Sequence, residues 1–211
     1  MLELLLFDLD NTLYPESSGM DHDIVRRMIG FVGRQLNMGF EEARAFRRAH
    51  ASAYGTTLEW LIAEHGPVDI EAYFAEIHPD GEEYCIVPNP GLARVLDSFE
   101  CRKAVLTNSP REHAVRVLAK LGVADRFEAI YDIRYHDLKG KPRPEAYRRS
   151  IEASHATVAG TIFVDDLPKY VRGYLAIGGR AVLVDEYDRY GAEGLERIAS
   201  VAELPTLLAA D

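Results

Sequence analysis

The sequence predicts an α/β fold, a Rossmann-like doubly wound parallel sheet carrying an inserted all-helical segment. Short apolar runs alternate with amphipathic helical patterns, as successive βαβ units require. Roughly seventy residues between the first and second runs hold helical patterns only, far more than one crossover needs.

Leu2 to Asp8 reads as a short strand that is apolar from Leu4 to Phe7, which suits a strand buried on both faces of a parallel sheet. From Ser17 to Val87 the periodicity predicts helices over Asp21–Leu36, Phe40–Tyr54, Leu58–Glu64 and Ile70–Ile77, broken by Gly39, Gly55 and the stretch HGPVD. A helix over Gly91–Phe99 then leads to a strand at Ala104–Leu106, which runs into TNSP. The pattern continues with a helix over Arg111–Leu121, a weaker strand at Ala129–Tyr131 and a helix over Pro144–Ala153. A strand at Thr161–Val164 before DD, a helix over Lys169–Ala176 and a strand at Ala181–Val184 before DEYD complete it. Gly122 and Gly178 stand where helix ends are expected. The expected division is a core of residues 1–16 and 88–211, split around a helical cap at 17–87.

Composition narrows the function. The 211 residues are 47% hydrophobic and 27% charged, as in a soluble globular protein. A formal net charge of −10 argues against a nucleic-acid polymer as partner, which would need a basic face. An anionic small molecule is still admissible, because a local site can oppose the global field. Cys85 and Cys101 lack metal-ligand spacing and read as reduced thiols, although one pair can bridge in principle. Glu3, Asp8 and Asp10 interrupt the first apolar stretch, which has no basic flank, so no signal peptide or membrane span is expected. A cytoplasmic location follows as an expectation.

Ligands of open α/β sheets gather outside the carboxyl ends of the strands. There the sequence puts Asp8 and Asp10, then Thr107 and Asn108, then Asp165 and Asp166. In DLDNT, Leu9 points away while Asp8 and Asp10 share one side. Paired carboxylates repel unless a cation lies between them, and oxygen-only ligands suit Mg²⁺, with Asp165 completing the set. Histidines His22, His50 and His65 fall on helices as ordinary polar residues. The stretch KGKPRPEAY offers Lys139, Lys141 and Arg143 just ahead of a helix, either as phosphate ligands or as a solvated basic loop. His113 reads as a helix residue packing beneath the TNSP loop. Tyr54, Thr56, Thr57 and Trp60 serve either as a pocket roof or as core of the helical insertion.

Taken in order, these stretches resemble the four motifs of the haloacid dehalogenase superfamily. DxDx[TV] matches Asp8, Asp10 and Thr12; a strand ending in Thr matches Thr107; Lys–Pro matches Lys141; and an acidic pair matches Asp165 and Asp166. The resemblance covers the whole chain, and the helical insertion is similar to the family's cap after the first motif. FDLDNTLYP, YGTTL, LTNSPREHAVRVLAKLG and KPRPEAY look most like the pyrimidine 5′-nucleotidase branch, though Ser109–Pro110 departs from the small residue many relatives carry.

The resemblance implies a Mg²⁺-dependent phosphatase of a small phosphorylated metabolite, most simply a pyrimidine nucleoside 5′-monophosphate. Asp8 would be the nucleophile that forms an aspartyl-phosphate, and Asp10 the proton carrier, a residue that dehalogenases of the superfamily lack. Asp8, the Asp10 carbonyl and Asp165 would hold the metal; Thr107, Asn108 and Lys141 would hold phosphate oxygens. Asp166 would orient Lys141 or bind a metal water. The alternatives are a phosphosugar mutase, a phosphoglycolate-type phosphatase, and a non-catalytic binding protein that keeps the fold.

Overall fold

The computed structural model describes residues 1–209. Among these residues six parallel strands form one sheet in the order β3-β2-β1-β4-β5-β6. They are β1 (Leu4–Phe7), β2 (Arg102–Leu106), β3 (Ala129–Tyr131), β4 (Thr161–Asp165), β5 (Arg180–Val184) and β6 (Arg197–Ile198). β1 lies at the middle, in register with β2 on one side (Leu6 opposite Ala104) and β4 on the other (Leu6 opposite Phe163). The strand order reverses at β1, so a crevice is expected at its carboxyl end.

The alternation of side chains along β1 divides the interior into two layers. Leu5 and Phe7 face one layer, with α5 (Pro90–Asp97) and α6 (Arg111–Leu121) supplying Leu92, Leu96, Val117 and Leu118. Leu4 and Leu6 face the other, where α7 (Pro144–Ala153) and α8 (Pro168–Leu175) bring Tyr147, Ile151, Val171 and Tyr174 against Phe163. All four β1 residues are fully buried. Each such side chain contributes about 1.5–3 kcal/mol relative to exposure.

Between β1 and β2 the regular elements are helical: α1 (Met20–Leu36), α2 (Phe40–His50), α3 (Thr57–His65) and α4 (Ile70–Ile77). Local chemistry sets their starts. The side chains of Thr56, Asp69 and Asn89 accept from Glu59 N, Ala72 N and Gly91 N at the head of α3, α4 and α5. Trp60 is fully buried beside the rings of Phe46, His50 and His65, and its indole N–H donates to Glu64.

Beyond shifts of one or two residues at element ends, one helix end and two further elements differ from the sequence expectation. α2 ends at His50 and gives way to a 3-10 turn, because Tyr54 is already extended. β6 was not expected: two residues pairing with β5 leave no apolar run to read. A last helix, α9 (Leu204–Ala209), packs Leu204 into the core. Both cysteines are free thiols. Among the described residues no helix is long and apolar enough to cross a membrane.

Candidate active site

Because β1, β2 and β4 are neighbours, the residues that leave their carboxyl ends converge. Asp8 follows β1, Thr107 follows β2, and Asp165 closes β4 with Asp166 beyond it. Lys141 arrives on the loop from β3 to α7. Its ammonium is fully buried, 2.7 Å from Asp8 Oδ1 and 2.6 Å from Asp165 Oδ2. It also lies over the faces of Tyr170 and Phe163, 4.9 Å and 5.5 Å from the ring centroids. Lys139 and Arg143 stay exposed, and Arg143 pairs with Glu59 instead. Of the three basic residues in that stretch, Lys141 alone enters the site.

Asn108 fixes the lysine's backbone. Lys141 N donates to Asn108 Oδ1 at 2.8 Å, and Asn108 Nδ2 donates to Lys141 O at 3.0 Å and to the Tyr170 hydroxyl at 3.1 Å. Its amide hydrogens are thus committed to positioning Lys141, and the backbone N–H is what Asn108 can offer a ligand. Thr107 is buried, and its Oγ1 accepts from Ser109 N at 3.0 Å.

Asp8, Asp165 and Asp166 present ligand oxygens within 4.8 Å of one another. Burial pushes the Asp8 carboxyl up to about 7; Asp165 and Asp10 add to the rise, and Lys141 opposes it. Burial raises Asp165 and Asp166 as well. Lys141 itself is held well above its usual range, because Asp165 and Asp8 outweigh its own desolvation. Three carboxyl groups face one ammonium, a bound cation would favour their ionised forms, and the donors are all oxygens. This set fits a hard divalent cation.

Asp10 does not join that cluster. Its Oδ1 accepts from the Tyr14 hydroxyl at 2.7 Å and from His113 Nε2 at 2.7 Å, while its Oδ2 accepts from Ser109 Oγ at 2.9 Å. Burial alone would raise its carboxyl, but the charge and hydrogen bond of His113, with Tyr14, hold it far below the usual carboxylate range. His113 is therefore more than a packing residue. It is fully buried in α6, and its Nδ1 lies 2.5 Å from Oε1 of Glu82, a residue of the turn Glu82–Cys85. Burial opposes its charge, yet Asp10 and Glu82 raise His113 to about 9.

His78, Glu82 and His113 also bring potential ligand atoms together. However, Glu82 Oε1 already takes both imidazoles, and Arg27 and Arg116 donate to the same carboxylate. Two guanidiniums compensate Glu82, so this is a hydrogen-bonded network rather than a cation site. Sequence reasoning missed Tyr14 and Ser109 as neighbours of Asp10, and Glu82 as the partner of His113. Only Tyr14, one helical turn along in sequence, left a local signal.

A cavity of about 380 Å³ opens above Asp10, Asn108 and Ser109. Its remaining walls include Arg47, Thr56, Thr57, Tyr73 and Phe74 from the helical insertion, and Tyr170 from α8. Of the residues expected as a roof, Thr56 and Thr57 line it, whereas Trp60 is core. A larger cavity of about 640 Å³, walled by Leu13, Leu92, Val95, Val201 and Pro205 among others, contains none of the strand-end carboxylates.

Residues 2–173 match the family described as haloacid dehalogenase-like hydrolase. The chain belongs to that family. It is 25% identical over 210 residues to phosphate metabolism protein 8 of Saccharomyces cerevisiae, a match covering 92% of this chain and 65% of that protein. The chain thus spans just under two thirds of the length of that curated relative. Among solved structures it is similar to a HAD phosphatase from Thermococcus onnurineus, with a TM-score of 0.67, 19% identity and 98% of both chains covered. An L-2-haloacid dehalogenase from Xanthobacter autotrophicus gives a TM-score of 0.64 at 19% identity over 99% of both chains.

Proposed function

We propose that this hydrolase is a Mg²⁺-dependent phosphatase acting on a small phosphorylated metabolite, with residues 17–87 serving as a cap over a core of 1–16 and 88–211. The observation that carries the reading is the pair of aspartates after β1 in two different environments. Asp8 lies beside Lys141 and the acidic cluster, while Asp10 is turned to hydroxyl and imidazole donors. Two carboxyls at one site with unlike surroundings suit two chemical roles.

On this reading Asp8 attacks phosphorus, the ester oxygen leaves with a proton from Asp10, and an aspartyl-phosphate forms. Asp10, again a carboxylate, then takes a proton from the water that attacks the intermediate, releasing phosphate and restoring Asp8. Asp10 is ionised in the free site; an arriving phosphate dianion raises its carboxyl, so its acid role belongs to the loaded site. Lys141, Thr107 and the Asn108 backbone hold phosphate oxygens as charge develops. Asp8, Asp165, the Asp10 carbonyl and Asp166 would hold Mg²⁺, directly or through water. The bound ion would supply neutralisation of charge between nucleophile and phosphate.

For the substrate we favour a pyrimidine nucleoside 5′-monophosphate, whose leaving group is the nucleoside 5′-oxygen. Tyr73, Phe74 and Tyr170 supply aromatic walls, and the Arg47 guanidinium, whose Nε donates to Thr57 at 2.8 Å, supplies a donor for base carbonyls. A panel of phosphate esters, run with Mg²⁺ and again after chelation, tests both levels. Turnover should require Mg²⁺ and be inhibited by Ca²⁺, with kcat/KM for UMP or CMP above that for AMP and sugar phosphates. Full activity after exhaustive chelation would remove the metal. A preference for a sugar phosphate or phosphoglycolate would remove the nucleotide and leave the phosphatase.

A further inference from the structure

We infer that His113, locked by Glu82, is a positioning residue for Asp10, and that this couples the proton-transfer group to the return of the chain from the helical insertion. The inference rests on Asp10 carrying the proton, as proposed above. Its own support is geometric.

A carboxylate on a strand-end loop can rotate about both side-chain torsions. Here Oδ1 is fixed by His113 and Tyr14 and Oδ2 by Ser109, so both rotations are arrested. The three donors are not equivalent. Tyr14 sits on the same loop as Asp10, and Ser109 on the loop after β2. His113 belongs to α6, fully buried, and its second ring nitrogen is held by the buried carboxylate of Glu82, so it alone of the three ties Asp10 to a helix and to the chain leaving the insertion.

Glu82 is fixed from four directions. Besides His113 it accepts from His78 Nδ1 at 3.0 Å, from Arg27 NH2 at 2.6 Å and from Arg116 NH2 at 3.4 Å. Arg27 belongs to α1, and its Nε also donates to the carbonyl of Ile77 at the end of α4. The line Arg27–Glu82–His113–Asp10 therefore joins the first and fourth helices of the insertion to the group that delivers the proton. A displacement of about 1 Å at such a group suffices to cost on the order of 10²-fold in rate. Residues that act through one path lose their effects non-additively when removed together.

The test compares kcat/KM for two substrates, 4-nitrophenyl phosphate, whose leaving group needs little protonation, and ribose 5-phosphate, whose alkoxide needs it fully. His113→Ala should lower the alkyl ester by about 10- to 100-fold and the aryl ester by less than about 3-fold. His113→Gln, whose amide nitrogen can still donate to Asp10, should recover part of the loss and serves if the alanine variant folds poorly. Glu82→Ala should show the same leaving-group dependence, and adding it to His113→Ala should cost little more. Equal losses on both esters in His113→Gln and Glu82→Ala, or losses that multiply in the double variant, would overturn the coupling. Asp10→Asn is run alongside. If it shows no leaving-group dependence, the proton role of Asp10 falls and this inference with it; if it does and the His113 variants do not, this inference falls alone.

Discussion

Lys141 brings its charge into a place that burial makes hostile to charge, and two carboxylates within 2.7 Å are what keep it there. Glu82 poses the mirror problem, an acid in the interior surrounded by His78, His113, Arg27 and Arg116. Burial would raise its carboxyl, but the hydrogen bonds from His113 and His78 bring it down from the ordinary 4.5 to about 2. The folded value lies below the unfolded one. The stabilisation is therefore complete above about pH 4.5 and is lost as pH falls toward 2, and it amounts to at most about 3 kcal/mol. Urea unfolding of the wild type and Glu82→Gln should show a stability gap near pH 6.5 that narrows steadily toward pH 3; a gap that widens on acidification contradicts this assignment. Neither Glu82 nor His113 announces itself in the sequence. Their partners are 31 and 103 positions away, and a lone His on an amphipathic helix gives the same local pattern whether it packs or bonds. Asp8 and Asp165 are easier to read, because each stands at the end of an apolar strand, whereas Lys141 stands out from Lys139 and Arg143 only through the family resemblance.

The strands and helices act as fixed mounts, and the loops between them carry the chemistry. β1, β2, β4 and β5 are legible because a strand buried on both faces is largely apolar, and β3, a part-buried edge strand, leaves the weaker signal. β6 is not legible, since two residues held by backbone pairing need no such run. The loop from β3 to α7 shows how tightly a mount can hold. A Cβ on Gly140 would collide with Asn108 Oδ1 and lie 2.9 Å from Ile133 Cδ1. Asn108 would have to release Lys141, whose backbone it brackets on both sides. Gly140→Ala should therefore lower kcat/KM by about 10²-fold through displacement of Lys141, with a smaller loss of Tm. Unchanged kinetics in this variant would mean that Asn108 does not set the lysine's position.

Taken as one molecule, the protein has a sheet that gathers acids at its centre and a helical insertion that walls the cavity above them. Its net charge of −10 gives no hint of this site, whose electrostatics depend on a handful of groups with little access to water. The α/β class was legible because strand and helix patterns alternate from the second strand onward. The shape of the cavity was not, because it depends on how α1 to α4 settle on one another and on β1's loop. Hydrolysis through a phosphorylated Asp8 is the central claim, and rapid mixing with 4-nitrophenyl phosphate in the presence of Mg²⁺ tests it most directly, followed by acid quench and mass analysis of the protein. Asp10→Asn should give a burst of nitrophenol, a phosphoryl group mapped to Asp8, and then a steady state slowed by about 10²–10⁴-fold; Asp8→Asn should give neither burst nor label. Turnover retained by Asp8→Asn, or a phosphoryl group mapped to any other residue, would contradict it.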